Sequence, residues 1–279
     1  MDLRVADGTL YYETEGAGIP CLVPVPGYQG YLTRTLSEGL KRRFQFHFLH
    51  MRGNGRSGDF PPEAVTLDSI LEDFDLFRRH VGFERIGLMG HSAIGCMALE
   101  FARRYSDSTA FVISIGAPPR MPDHFQKAGE YWEANADAER KRLFDENMAK
   151  LDLSDATPED RFYLLYRAMG PRYWYDPHFD CAPIASDMKV SMEMTTHLFG
   201  NVINELDPTP YFPEVTCPVF LAQGRYDFSV PYVFWKDLPE TLPEATYVEF
   251  ERSGHYPMYE EQARFDEELS AWMERHSLR

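Results

Sequence analysis

Ser92 stands in the run Leu88-Met89-Gly90-His91-Ser92-Ala93-Ile94-Gly95-Cys96, between an apolar stretch and a segment with helical spacing. A serine at a strand-to-helix turn can act as a nucleophile. The turn lifts the hydroxyl clear of the sheet, and amides at the helix start face a developing oxyanion. Gly90, two residues before Ser92, suits the crowding of such a turn. The second glycine is expected at position 94, but that residue is Ile94, and Gly95 follows it. The plain alternative is a serine that caps an ordinary helix.

A nucleophilic serine needs a base and a group that orients the base. Asp227 lies in Ala222-Gln223-Gly224-Arg225-Tyr226-Asp227, and His255 in Ser253-Gly254-His255-Tyr256-Pro257. Each follows an apolar run, and the order Ser, Asp, His is one in which such triads occur. Positions just past strand ends are where open α/β sheets carry function. A turn aspartate is the bland alternative for Asp227. The other eight histidines lack this combination of context and order.

These residues need a scaffold that brings them together. Residues 10–14 read as a strand of an opening hairpin, entered at Asp7-Gly8. Residues 21–26 form an apolar strand whose prolines are awkward for a central place in a sheet. An aromatic-rich strand covers 44–51. Leu67, Ile70, Leu71, Phe74, Phe77 and Val81 recur at helical spacing. Then come a short strand at 86–89, a helix at 93–105 and a buried strand at 110–115. This alternation predicts a parallel sheet with helices on both faces.

The rhythm breaks between 120 and 211, where 123–150, 157–170 and 185–206 read as helices. Aromatics crowd that stretch: Phe162, Tyr163, Tyr166, Tyr173, Trp174, Tyr175 and Phe179. Strands return at 217–222 and 245–250, and a last helix covers about 260–276. The expected organisation is a core of residues 1–119 and 212–279 with a helical cap, 120–211, inserted into it. The chain shows no internal repeat and no low-complexity tract.

The 279 residues include 28 basic and 44 acidic side chains, a net charge of −16. Nucleic acid and anionic membranes would be repelled in bulk, and the surplus acid reads as solubility. Cys21, Cys96, Cys181 and Cys217 form no CxxC and no Cys/His cluster, so no metal site is indicated. The first eight residues carry no apolar run of signal-peptide type. No stretch approaches 18 uninterrupted apolar residues, so no membrane span is expected and the cytoplasm is the default location.

Five motifs carry a resemblance over nearly the whole chain: Pro26-Gly27-Tyr28, Arg52-Gly53-Asn54-Gly55-Arg56-Ser57, Gly90-His91-Ser92, Gly224-Arg225-Tyr226-Asp227 and Ser253-Gly254-His255. They resemble those of the α/β-hydrolase superfamily, in its lidded branch that includes prolyl aminopeptidases. The resemblance implies the α/β-hydrolase fold, a mostly parallel twisted sheet flanked by helices with an inserted helical cap. By position it implies Ser92 as nucleophile, His255 as general base and Asp227 as its orienter. The backbone amides of Tyr28 and Ala93 would form the oxyanion hole. The family usually has His-Gly where this chain has Pro26-Gly27.

The chemistry so implied is acyl transfer on a small-molecule ester, lactone or amide, with no metal and no organic cofactor. A prolyl-type aminopeptidase, a carbon–carbon bond hydrolase and a ligand receptor that retains the triad are the alternatives, with a structural pseudo-enzyme behind them. Trp174 and Tyr175 are expected to line an apolar substrate pocket. Glu193, with Glu205, would hold a free amine in the aminopeptidase reading. The expected partner is a small molecule, neither nucleic acid nor membrane, and the oligomeric state is left open.

Overall fold

Residues 1–27, 29–58, 60–186, 188–236 and 238–278 are described in the computed structural model, and an eight-stranded sheet runs through them. The opening hairpin forms as expected, with β1 (Asp2–Val5) antiparallel to β2 (Gly8–Gly16). The next strands along the chain are β3 (Ile19–Val25), β4 (Phe44–His50), β5 (Ile86–His91) and β6 (Thr109–Ile115). β7 (Val219–Gly224) and β8 (Ala245–Phe250) complete the sheet. The strand order is β1-β2-β4-β3-β5-β6-β7-β8, and every pairing from β4–β3 onward is parallel.

β3 is central despite Pro20 and Pro24. It meets β4 along seven register pairs, from Ile19–Phe44 to Val25–His50. It meets β5 along two only, Cys21–Gly87 and Leu22–Leu88. Those two lie between the prolines, each of which lacks a ladder donor.

Side chains alternate across the sheet and meet a different layer on each face. Leu22, Leu88, Val112 and Leu221 share one buried cluster with Phe74, Phe77, Leu99 and Phe101. Val23, Met89, Ile113 and Phe220 share the other with Phe265, Leu269 and Trp272. Burying each such side chain is worth roughly 1.5–3 kcal/mol. Cover on both faces is why β5 and β6 are nearly unbroken apolar runs.

Two short helices after β3, α1 (Gln29–Thr35) and α2 (Glu38–Arg43), escape the apolar spacing. α3 (Leu67–His80) starts at a capping box in which the Thr66 side chain accepts from the Ser69 amide. α4 (Ala93–Arg104) is buried from Ala93 to Ala102.

Between β6 and β7 the described residues form helices and no strand. The single helix expected over 123–150 is two, α5 (His124–Asn135) and α6 (Ala138–Lys150). Ala136 and Asp137 are extended, and Asp137 caps α6 by accepting from the Arg140 amide. α7 (Pro158–Ala168), α8 (Gly170–Tyr173), α9 (Ala182–Ala185) and α10 (Met192–His197) follow. The last runs straight into a π-helical turn, Leu198–Val202, so the helix expected over 185–206 is a set of shorter pieces. After β8 come α11 (Pro257–Glu260) and α12 (Gln262–Arg275). Among the described residues no helix is long and apolar enough to cross a membrane.

Candidate active site

Parallel strands in register place their C-terminal ends side by side. β5 leads into Ser92, β7 into Asp227 and β8 into His255, and the three loops meet at one end of the sheet. Ser92 has φ 59° and ψ −139°, a backbone state that non-glycine residues rarely hold. Such strain costs on the order of 1–3 kcal/mol and persists only where surrounding contacts enforce it. Here the Ser92 amide donates to the Ile115 carbonyl at 2.9 Å, and the Ser92 carbonyl accepts from the Gly95 amide at 2.9 Å. The Ser92 side chain makes no capping bond to α4, which removes the helix-cap alternative.

The displaced glycine has a geometric explanation. A Cβ on Gly90 would lie 2.6 Å from the Cα and N of Gly95. A Cβ on Gly95 would lie 2.5 Å from the Ala117 Cβ and the Ser114 Oγ. The close approach falls on Gly95, and Ile94 is left to carry a side chain on the cavity wall.

His255 Nδ1 lies 2.6 Å from Asp227 Oδ2. Asp227 is fully buried, and its Oδ1 accepts from the amides of Ser229 at 2.9 Å and Val230 at 2.7 Å. One carboxylate oxygen is thus held by its own loop, while the other faces the imidazole. A proton on Nδ1 bonded to Oδ2 leaves Nε2 as the acceptor nitrogen. The His255 carbonyl accepts from His91 Nε2 at 2.9 Å. Burial, with His255 nearby, holds the His91 imidazole well below its usual pKa, so it donates as a neutral ring.

Ser92 and His255 open onto one cavity of about 390 Å³. Its wall is largely apolar, with Met121, Phe162, Met188, Val190, Met194 and Leu198. Among the described lining residues none is Asp, Glu, Lys or Arg. Burial lowers His124 to about 4 and raises Tyr173 to about 12, so both are uncharged at neutral pH.

The expected site residues divide. Ala93 lines the cavity with its amide at the start of α4. Tyr28 lies outside the described residues. Trp174, Tyr175 and Glu193 are not on the cavity wall. Trp174 is buried and stacks on Tyr256, ring centroids 4.5 Å apart. Tyr175 is exposed and meets Tyr226 edge-on at 4.8 Å, and Glu193 and Glu205 are exposed. The reason lies in Arg140 of α6, buried, which donates at 2.7 Å to the carbonyls of Pro171, Trp174 and Tyr175. That holds the segment against the loops rather than over the cavity. Of the crowded aromatics, Phe162, Tyr166 and Tyr173 do reach the wall. Met188, Val190 and Met194 also line it and carry no chemical signal in the sequence.

Residues 21–262 match the alpha/beta hydrolase fold family. With the sheet and site geometry above, the chain is a hydrolase of the α/β-hydrolase superfamily. The Bacillus subtilis AB hydrolase superfamily protein YclE is 31% identical over 271 residues, 95% of each chain. The putative carbamate hydrolase RutD of Azorhizobium caulinodans is 27% identical over 260 residues, 89% of each chain. The solved structure of an alpha/beta fold family hydrolase from Bacillus anthracis str. Sterne is similar with a TM-score of 0.76, at 20% identity over 98% of each chain.

Proposed function

We propose that this chain is a serine hydrolase that cleaves small neutral esters, lactones or amides through an acyl-enzyme. The observation that carries this is the Asp227–His255 pair, 2.6 Å apart, whose imidazole shares with the strained Ser92 turn one cavity that carries no Asp, Glu, Lys or Arg among its described lining residues. His255 Nε2 takes the Ser92 proton as Oγ attacks the substrate carbonyl, and Asp227 steadies the imidazolium that forms. The oxyanion is held by the Ala93 amide at the start of α4. Each such donor is worth about 3–4 kcal/mol in the transition state. His255 returns the proton to the leaving group, and water then cleaves the acyl-enzyme by the same route reversed. The helices between β6 and β7 act as a cap over this cavity.

The absence of Asp, Glu, Lys and Arg among the described lining residues supports a neutral substrate over a peptide with a free amine. An aminopeptidase needs a carboxylate at that amine, and Glu193 and Glu205 are exposed and off the wall. Carbamates, the class in the name of the Azorhizobium relative, fall within the range of acyl compounds proposed. Four buried, unbridged cysteines suit a reducing cytoplasm.

Covalent labelling with a fluorophosphonate tests the proposal. Wild-type protein is expected to label, and Ser92→Ala to lose both labelling and about 10⁴–10⁶ of kcat. Folded wild-type protein that does not label would overturn the assignment.

A further inference from the structure

The loop that carries His255 hangs from two adjacent carboxyl side chains and one carbonyl. Glu261 accepts from the Arg252 amide and from Ser253 Oγ, both at 2.8 Å. Glu260, the last residue of α11, accepts from the Gly254 amide at 2.8 Å through Oε2. Through Oε1 it accepts from the Tyr175 amide at 2.6 Å. The Tyr256 amide also bonds to this carboxyl. The His255 amide itself donates to the Tyr173 carbonyl at 2.6 Å.

The amides on both sides of His255 therefore share one acceptor group. That group also holds the Tyr175 amide, two residues beyond the carbonyl that receives the His255 amide. Glu260 is not itself a lining residue of the cavity, so its influence passes through the backbone it holds.

We propose that Glu260 is a positioning residue for His255: its carboxyl pins Gly254 and Tyr256 to the Tyr173–Tyr175 segment and so fixes where the imidazole stands. The proposal rests on His255 being the base. A catalytic group displaced by about 1 Å loses about 100-fold in rate, and a short loop with unpinned amides has that freedom.

Steady-state kinetics of Glu260→Ala and Glu260→Gln on one p-nitrophenyl ester test it. Glu260→Ala removes every acceptor and is expected to lower kcat about 100-fold with KM within about threefold. Glu260→Gln keeps one carbonyl oxygen and is expected to recover about tenfold or more of that loss. Equal losses in the two variants, a loss confined to KM, or an alanine variant within about threefold of wild type would overturn the proposal. If Glu260→Ala does not fold, amide hydrogen exchange in Glu260→Gln decides. Faster exchange at Gly254 and Tyr256 than in wild type supports the role, and unchanged rates overturn it. Fluorophosphonate labelling of the wild type separates this from the triad itself. An unlabelled wild type removes the catalytic assignment, and the exchange rates still report whether Glu260 holds the loop.

Discussion

The backbone amide of His255 donates to the carbonyl of Tyr173 at 2.6 Å, so the proposed base is anchored on the helical insertion between β6 and β7. The same segment reaches the acid. The Arg172 carbonyl accepts from the amide of Phe228, the residue after Asp227, at 3.0 Å. Residues 172–175 thus form a seam with the loops of both Asp227 and His255.

Arg140 backs this seam from α6 with three hydrogen bonds of 2.7 Å to backbone carbonyls. Leaving a buried acceptor unpaired costs about 1–3 kcal/mol. Arg140→Met is expected to lower the urea midpoint at an unchanged m-value, and to lower kcat as His255 loses its anchor. A midpoint equal to that of wild type would refute the support assigned to Arg140.

Asp227 divides its oxygens between His255 Nδ1 and two loop amides. Asp227→Asn keeps the shape but must turn its amide group toward a donor on one side or the other. The expected result is a fall in kcat of about 10⁴-fold with folding intact by circular dichroism. A rate within about tenfold of wild type would count against Asp227 as orienter.

The turn at Ser92 makes opposite predictions for neighbouring positions. At Gly95 a methyl group would meet the Ala117 Cβ and Ser114 Oγ at 2.5 Å. Gly95→Ala is expected to cost about 1–3 kcal/mol and most of the activity as the turn shifts. Ile94→Ala should keep the turn and enlarge the cavity. Its kcat/KM across p-nitrophenyl acetate to octanoate should move toward longer acyl chains. An unchanged chain-length preference would remove Ile94 from the substrate wall.

Among the described residues the wall carries no Asp, Glu, Lys or Arg, which penalises charged substrates. An unpaired carboxylate on the acyl tail must be desolvated without a partner. p-Nitrophenyl hemisuccinate is expected to show kcat/KM at least about 100-fold below the butyrate, a difference of about 2.7 kcal/mol. Equal rates would show that the tail stays in water.

Stability should peak near pH 7, where opposing titrations balance. Burial lowers His47, His50 and His124 to about 4, and His91 shifts in the same direction. These rings stay neutral in the folded chain, while the unfolded chain gains protons below about 6.5. Their contribution is present above that value and is lost as the pH falls toward 4. Glu260 acts in the opposite sense, because burial raises it to about 8. Its folded form keeps a proton that the unfolded chain releases above about 4.3, so stability falls as the pH rises toward 8. Thermal midpoints across pH 4–9 would trace both limbs, and Glu260→Gln should flatten the alkaline one alone.

Much of the fold is legible because chemistry and pattern coincide. The strand shows as an apolar run over 86–89, Gly90 marks the turn, and β7 and β8 end where Asp227 and His255 are wanted. The two prolines of β3 argue against a central strand, yet it is central because its short contact with β5 avoids them. The substrate wall is less legible. An aromatic side chain has the same composition whether it faces a cavity or a packed seam. Trp174 faces the seam, while Met188 and Val190, with no distinguishing chemistry, face the cavity. Glu260 looks like one acid among 44, and only the backbone amides around it reveal its place.

The seam also decides where traffic can pass. The insertion cannot swing away as one body without unmaking bonds to the loops behind Asp227 and His255. Another part of the cavity lining lies outside those bonds, where Phe125 stands 64% exposed and meets Phe199 edge-on at 5.8 Å. The exposed lining and the anchored seam are separate parts of one inserted segment, so a substitution at Phe125 or Phe199 leaves the bonds to the His255 loop in place.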